Sequence, residues 1–433
     1  MKPTEIASSG SSTQWKSWFS SPWFLSAWCT VSAFGTYGCM YALRKPFTAG
    51  SYSSIPFEGH LKTWLVLAQV VGYTLAKLIG IRVISEIPSN RRSQILLGLI
   101  GMAVVSLLLF AIAPPLVKPF CLFINGLSLG MVYGLVLGFL EGRRLTEAFV
   151  AGLCASFILA DGFTKSVGAD LLKRGIPETW MPSIAGLLFL MPMVGFIWML
   201  RQIPPPSSDD VIARSARTPM NWPDRRQFVL RHGPGLAGLL LMYVLVTVLR
   251  SLRADFAPEL WAGLGARPDP SAFTRSEIWV ALGVLLLHAA LVGIPNNWRA
   301  FVAGLIFSFV GLAILIAALT LRQHQGITAF PFMVLMGVGL YLPYVAAHTT
   351  LFERLLAMTR DRGNIGFLMY LADAVGYLGY VGVMLVRQFV PVSTSFISWF
   401  IWVSWIVIVG SAVGLGFALA FYKQQLSRWH RTN

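Results

Sequence analysis

The chain has 433 residues, of which 56% are hydrophobic and only 12% charged, with a mean hydropathy of +0.67. A soluble domain carries roughly 25% charged residues, so the composition excludes an ordinary soluble enzyme or nucleic-acid-binding module. The formal net charge of +16 then points to loop charges that orient a membrane protein, because the basic residues fall mostly in short loops.

The first 22 residues are Ser-rich and polar and read as a cytoplasmic tail with no cleaved signal peptide. Trp15, Trp18 and Phe19 have the character of an interfacial anchor. Hydrophobic runs of bilayer-spanning length follow near 23–43, 61–80, 93–113, 119–140, 148–170 and 181–200. A polar stretch over 201–232 contains Pro204-Pro205-Pro206 and a cluster of arginines, and reads as an extended cytoplasmic linker. The runs resume near 233–252, 277–294, 299–320, 330–350, 363–386 and 397–421, and a tail covers 422–433. The expected fold is all-α, with about twelve transmembrane helices in two six-helix bundles, 23–200 and 233–421. An even span count and the excess of Lys and Arg in the loops on the side of the termini place both ends in the cytoplasm. The expected location is the inner membrane of a bacterium, as a monomer in the lipid bilayer.

The two halves echo each other. Tyr37, Tyr41 and Arg44 are spaced i, i+4, i+7 in the first span, and Tyr243, Thr247 and Arg250 repeat that spacing in the seventh at a constant offset of 206 (243 − 37 and 250 − 44). This spacing sets three side chains on one helix face. Leu159-Ala160-Asp161 in the fifth span returns as Leu371-Ala372-Asp373 in the eleventh, and Glu141 returns as Glu353, both at an offset of 212. Three echoes in order imply an internal duplication with a site at the repeat interface.

Charge inside a span is costly and marks function or pairing. Arg44 and Arg250 end matched hydrophobic segments; they either snorkel to the outer interface or hold an anion between the halves. Gln69, Tyr73 and Lys77 share one face of the second span, and Lys77 must face a cavity, an acid or the interface. Asp161 and Lys165 stand i, i+4 and are suited to neutralise each other. Asp373 has no basic partner in its own helix; it either pairs across the bundle or carries a proton. Arg253 is a gate or an interfacial residue, and Asp255 is placed to pair with Arg250 or Arg253. His288 and His348 stand alone and read as packing residues. Gly126, Gly130, Gly134 and Gly138 form a close-packing stripe. The four cysteines, all in hydrophobic segments, suggest neither disulfides nor a metal site. No phosphate-binding loop, zinc-protease motif or nucleophile elbow occurs, so no enzyme activity, cofactor or metal is expected.

YALRKPF in the first span, GYTLAKLIG in the second and VLRSLRADFAPELW in the seventh resemble the organophosphate:phosphate antiporters of the major facilitator superfamily. RDRGNIGFLMYLADAVGYLGY is similar to the glycine-rich eleventh span of that family. RKPF, LEGRR and ADAVGYLGY look closer still to an uncharacterised bacterial family of unknown function in the same superfamily. The loop IRVISEIPSNRR keeps only Glu86, Arg91 and Arg92 of the superfamily's acidic-then-basic pattern. The resemblance implies secondary active transport of a small anionic solute by alternating access. Arg44, Arg250 and Lys77 would bind the anion, and Tyr37, Tyr41, Tyr73 and Tyr243 would line the site. Without an ATP motif the drive is a gradient, either exchange with phosphate or a proton carried by Asp161 or Asp373. A proton-coupled carrier of another solute and a non-transporting membrane sensor of the same fold remain alternatives.

Overall fold

The computed structural model describes residues 19, 21–57, 60–141, 143, 146–207, 222–292, 294–359, 365–387 and 395–432. Their order is α1 (Pro22–Arg44), α2 (Leu61–Glu86), α3 (Arg92–Ile112), α4 (Lys118–Leu129), α5 (Val132–Leu140), α6 (Thr146–Lys173), α7 (Met181–Leu188) and α8 (Leu190–Arg201). The second half holds α9 (Trp222–Asp255), α10 (Ala257–Gly263), α11 (Ser271–Val292), α12 (Asn297–Gln323), α13 (Ala329–Ala346), α14 (Phe352–Thr359), α15 (Ile365–Arg387) and α16 (Phe396–Thr432).

Among the described residues, nine helical stretches are long and apolar enough to cross a membrane, or ten if α7 and α8, bent by 43° at Phe189, count as one. α4 and α5 together form one span, as do α13 and α14 across a π-helical turn at Ala347–Leu351. Two more helices, α1 and α6, have spanning length (23 and 28 residues) without that apolar character. With them the chain is a polytopic helical protein of six plus six spans. α1 and α6 carry Tyr37, Tyr41, Arg44, Asp161 and Lys165, and polar residues of this kind lower their hydropathy.

The face holding the start of α1, the end of α8 and the start of α9 is here the linker face; its opposite is the far face. The linker's entry, 202–207, is non-helical, and α9 begins at Trp222, so Pro234 lies inside a helix. Residues 208–221, Trp15 and Trp18 lie outside the described set. The expected C-terminal tail is helical as far as Thr432, because α16 continues past the apolar run.

Within the first bundle, α2 and α4 approach to backbone contact. A Cβ on Gly72 would stand 2.1 Å from the Phe123 carbonyl oxygen, and one on Gly126 would stand 2.0 Å from that of Gln69. Such an approach requires glycine on both helices; Gly126, the first glycine of the expected stripe, supplies one and Gly72 the other. The contact brings Gln69 and Asn125 together: Gln69 Nε2 donates to Asn125 Oδ1 at 2.9 Å.

That amide pair fixes the end of α1. Pro46 lacks an N–H and the chain tightens into a 3-10 turn at Pro46–Ala49, so the last carbonyls of α1 lose their helical donors. Gln69 donates to the Arg44 carbonyl at 3.0 Å and Asn125 to the Leu43 carbonyl at 3.2 Å. The backbone from which Arg44 projects is thereby held by two neighbouring helices. Across the bundles, α2 packs along α15 and α6 along α11.

Gly126→Leu is expected to lower stability by on the order of 3 kcal/mol through overpacking. Gly98→Ala, with nothing within 4 Å of its Cβ, is expected to stay within about 0.5 kcal/mol of wild type. Thermal unfolding in detergent compares the two.

Candidate functional site

Arg44 and Arg250 are 4% and 6% exposed and neither snorkels to an interface. The Arg44 guanidinium carbon lies 3.9 Å from the centroid of Tyr73, with Tyr41 at 5.7 Å and Tyr377 at 5.8 Å. Tyr73 is twelve residues into α2, about 18 Å from the far end at 1.5 Å per residue. Arg250 lies 4.4 Å from Tyr344 and 5.7 Å from Tyr341. Tyr344 is fifteen residues into α13, about 22 Å from the same face. Both guanidiniums therefore sit near mid-depth.

Tyr377 of α15 touches both arginines: its hydroxyl is 3.5 Å from Arg250 Nη2. Neither arginine has an ion-pair partner among the described residues, and the Nε of each has no hydrogen-bond partner. Aromatic faces stabilise a guanidinium by about 0.5–2 kcal/mol each, while leaving its fork of donors free. Two such forks from opposite bundles stand near one tyrosine, and paired donors of this geometry match the oxygens of a carboxylate or phosphate.

The remaining buried cations are mostly neutralised by carboxylates. Lys45 is bonded to Asp255 and lies 3.8 Å from Asp161, and Tyr380 donates to Asp255 at 3.0 Å. Asp255 thus pairs with neither Arg250 nor Arg253, the partners its position suggested; the helix turns its carboxylate toward α1 and α15. Arg253 is neither a free gate nor interfacial: it bonds Glu277 at 2.8 Å and the Met333 carbonyl at 2.9 Å. Asp161 pairs with Lys165 in the same helix at 2.5 Å. Lys62 bonds Glu259 at 2.5 Å. Lys118, at the start of α4, donates to the Phe110 carbonyl at 2.6 Å.

Lys77 is not a free cation beside the arginines. It donates to Asp373 Oδ2 at 2.7 Å, joining α2 to α15. Asp373 also accepts from the Tyr243 hydroxyl, and that oxygen lies 2.8 Å from His348 Nε2. Tyr243 thereby belongs to the Asp373 cluster, although its ring also stacks on Tyr344 with centroids 5.2 Å apart. Tyr37 packs against Tyr41, Tyr133 and Phe157.

Sequence reasoning missed Tyr377, Tyr341 and Tyr344 as walls, and read His348 as packing. What marks His348 is the π-helical turn that carries it, a feature frequent at functional sites; the turn follows Pro343, which lies inside α13. His288 Nδ1 lies 3.0 Å from the Val284 carbonyl of its own helix, which fits the packing role.

The bundles are bonded together on the far side of the arginines. Besides the Lys45–Asp255 and Lys62–Glu259 pairs, Ser166 donates to the Pro270 carbonyl at 2.6 Å and contacts the Thr274 hydroxyl at 2.6 Å. The far face is closed in this conformation. Among the described residues, Lys77–Asp373 is the inter-bundle ion pair nearest the linker face.

A family model described as "Family of unknown function (DUF5690)" matches residues 46–425. The fold is similar to that of the nucleoside transporter NupG, solved as a point mutant, with TM-score 0.58, 15% identity, 92% of this chain and 99% of that chain covered. It is also similar to a D-xylose–proton symporter, with TM-score 0.59, 12% identity and coverage of 90% and 96%. No curated protein matches the sequence. The helical fold is that of major facilitator transporters.

Breaking one side of a buried ion pair costs about 3–5 kcal/mol, because the other charge is left uncompensated. Lys45→Gln and Asp255→Asn are each expected to destabilise on that scale. The double variant should cost less than their sum by about 0.5–3 kcal/mol, read from a double-mutant cycle of unfolding in detergent.

Proposed function

Since the chain belongs to the family of unknown function DUF5690 and has the major facilitator fold, we propose that it is a secondary active transporter of a small anionic solute, working by alternating access. The observation that carries this reading is the pair of buried guanidiniums, one from each bundle, neither with an ion-pair partner among the described residues. An anion bound to both Arg44 and Arg250 bridges α1 and α9, and so favours the state in which the bundles close around it. An organophosphate exchanged for phosphate suits two planar forks, each able to give paired charge-assisted hydrogen bonds. The solutes named for the structural relatives, a nucleoside and a sugar, would leave both charges uncompensated.

Tyr41, Tyr73, Tyr341, Tyr344 and Tyr377 form the walls, and their rings exclude water from the charges they face. Lys77 joins the anion only when released from Asp373. The protein acts as a monomer in the inner membrane, with the linker face cytoplasmic. Its far face, closed here by the Lys45–Asp255 and Lys62–Glu259 pairs, is then the outer one. A closed outer face with an anion site at mid-depth corresponds to the half of the cycle that serves the cytoplasm.

A panel of phosphate esters, inorganic phosphate and carboxylates, scored by thermal shift on the purified protein, tests the reading. A ligand present at about 100 times its Kd stabilises the folded state by about 2.7 kcal/mol. The wild type is expected to gain stability with at least one phosphate ester, and Arg44→Lys and Arg250→Lys each to lose that gain. If no anion stabilises the wild type, the anion assignment fails. Stabilisation without flux in proteoliposomes identifies a sensor rather than a carrier.

A further inference from the structure

We infer that Asp373 is a proton-binding site, fed through His348 and Tyr243, whose protonation releases Lys77 and removes an ion pair joining the two bundles. The inference extends the transport reading to its driving force and does not depend on which solute is carried.

The geometry distinguishes Asp373 from the other buried acids. Asp161 is held by lysines, Asp255 by Lys45 and Tyr380, and Glu277 by Arg253. Asp373 alone among them is bonded to a hydroxyl that is itself bonded to an imidazole. Tyr243 has one hydroxyl proton and gives it to Asp373 Oδ1. Its oxygen must then accept from His348, which fixes the neutral imidazole as the Nε2–H form. The other ring nitrogen, Nδ1, is buried and has no protein partner. A buried polar atom in that state is satisfied by water or solute. The chain of hydrogen bonds thus has a carboxylate at one end and an open acceptor at the other. Of its three members, His348 lies on the π-helical turn Ala347–Leu351.

The proton step balances without any further reactant. A hydronium ion gives a proton to His348 Nδ1 and leaves as water. The Nε2 proton passes to the Tyr243 oxygen as the Tyr243 hydroxyl proton passes to Asp373. Tyrosine ends neutral, histidine ends as its other tautomer, and one proton has reached the carboxylate.

The surroundings suit the consequence. Lys77 lies 5.0 Å from the Tyr133 centroid, 5.1 Å from Tyr370 and 5.4 Å from Tyr73. These rings hold the ammonium once its carboxylate is neutral. Facing the cluster from α9 is Arg250, from α13 Tyr344, from α6 Cys154 and from α15 Tyr377. Losing the carboxylate's charge therefore leaves Lys77 able to turn to an incoming anion, beside the already unpaired Arg250. Proton and anion then favour the same rearrangement of the bundles, which is the requirement for coupling.

Infrared difference spectroscopy of the full chain in phosphate-free lipid vesicles, stepped from neutral to acidic pH, tests the assignment without any transported solute. Its failure is therefore separate from failure of the anion reading. The wild type is expected to gain a protonated-carboxyl band that disappears in Asp373→Asn. The band should move to higher frequency in Tyr243→Phe, which removes a hydrogen bond to that carboxyl. Should Asp373→Asn not fold, Lys77→Gln with Asp373→Asn removes both charges together, and the band is expected to be lost there too. Absence of the band in the wild type, or its survival without Asp373, overturns the proposal. A band indifferent to Tyr243→Phe overturns the relay.

Discussion

Two guanidiniums with no counter-ion among the described residues, at mid-depth in a membrane-spanning bundle, are the constraint around which this structure is arranged. Ionised groups in a low-dielectric interior cost several kcal/mol each unless compensated. The chain compensates Lys45, Lys77, Lys165 and Arg253 with buried carboxylates, and Lys62 with the partly buried Glu259. Arg44 and Arg250 receive tyrosine faces instead. An aromatic face lowers the cost of burial without occupying the donors, and on this rests the proposal that the two arginines receive an anion and are not a structural ion pair.

The duplicated fold supplies the two arginines from equivalent helices and then treats them differently. α1 ends at Arg44 because Pro46 stops it, and Gln69 and Asn125 take over the stranded carbonyls. α9 runs on to Asp255, which reaches back to Lys45. The close approach of α2 and α4 through Gly72 and Gly126 places Gln69 where it can hold Arg44. Of the helix pairs that cross between bundles, α2 with α15 carries the Lys77–Asp373 ion pair, and α6 with α11 is joined by hydrogen bonds of Ser166. Bonds on the far side of the arginines hold the bundles closed there, while Lys77–Asp373 joins them nearer the linker face. The proposed alternation between states requires these bonds to break in turn, and breaking Lys45–Asp255 or Lys77–Asp373 separates a buried charge pair.

Hydrophobic run length made the architecture readable from the sequence, and the Tyr-Tyr-Arg and Leu-Ala-Asp echoes made the duplication readable. The same logic explains where hydropathy weakens: α1 and α6 are polar because they line the site and its ion pairs. The i, i+4 pairing of Asp161 with Lys165 was local and could be read; Lys45–Asp255 and Lys77–Asp373, 210 and 296 residues apart, could not. Periodicity within one helix says which face a side chain takes, but nothing about the helix opposite. For this reason Asp255 was matched to arginines beside it in the chain, and Lys77 to the anion. Tyr377 and His348 gave no sequence signal, since a tyrosine in a glycine-rich span and a lone histidine look the same whether they pack or bind. The linker's helical end was hidden by its prolines and charges, which describe 202–207 well but not the start of α9 at Trp222.

The central claim is that one anion lies between the two arginines. A crystal structure of the protein soaked with tungstate, with the metal located by its anomalous scattering, tests it most directly. The predicted result is an oxyanion at mid-depth whose oxygens reach both the Arg44 and Arg250 guanidiniums and the Tyr377 hydroxyl. An oxyanion bound elsewhere, with both guanidiniums still stacked on their tyrosines and no density between them, would contradict it.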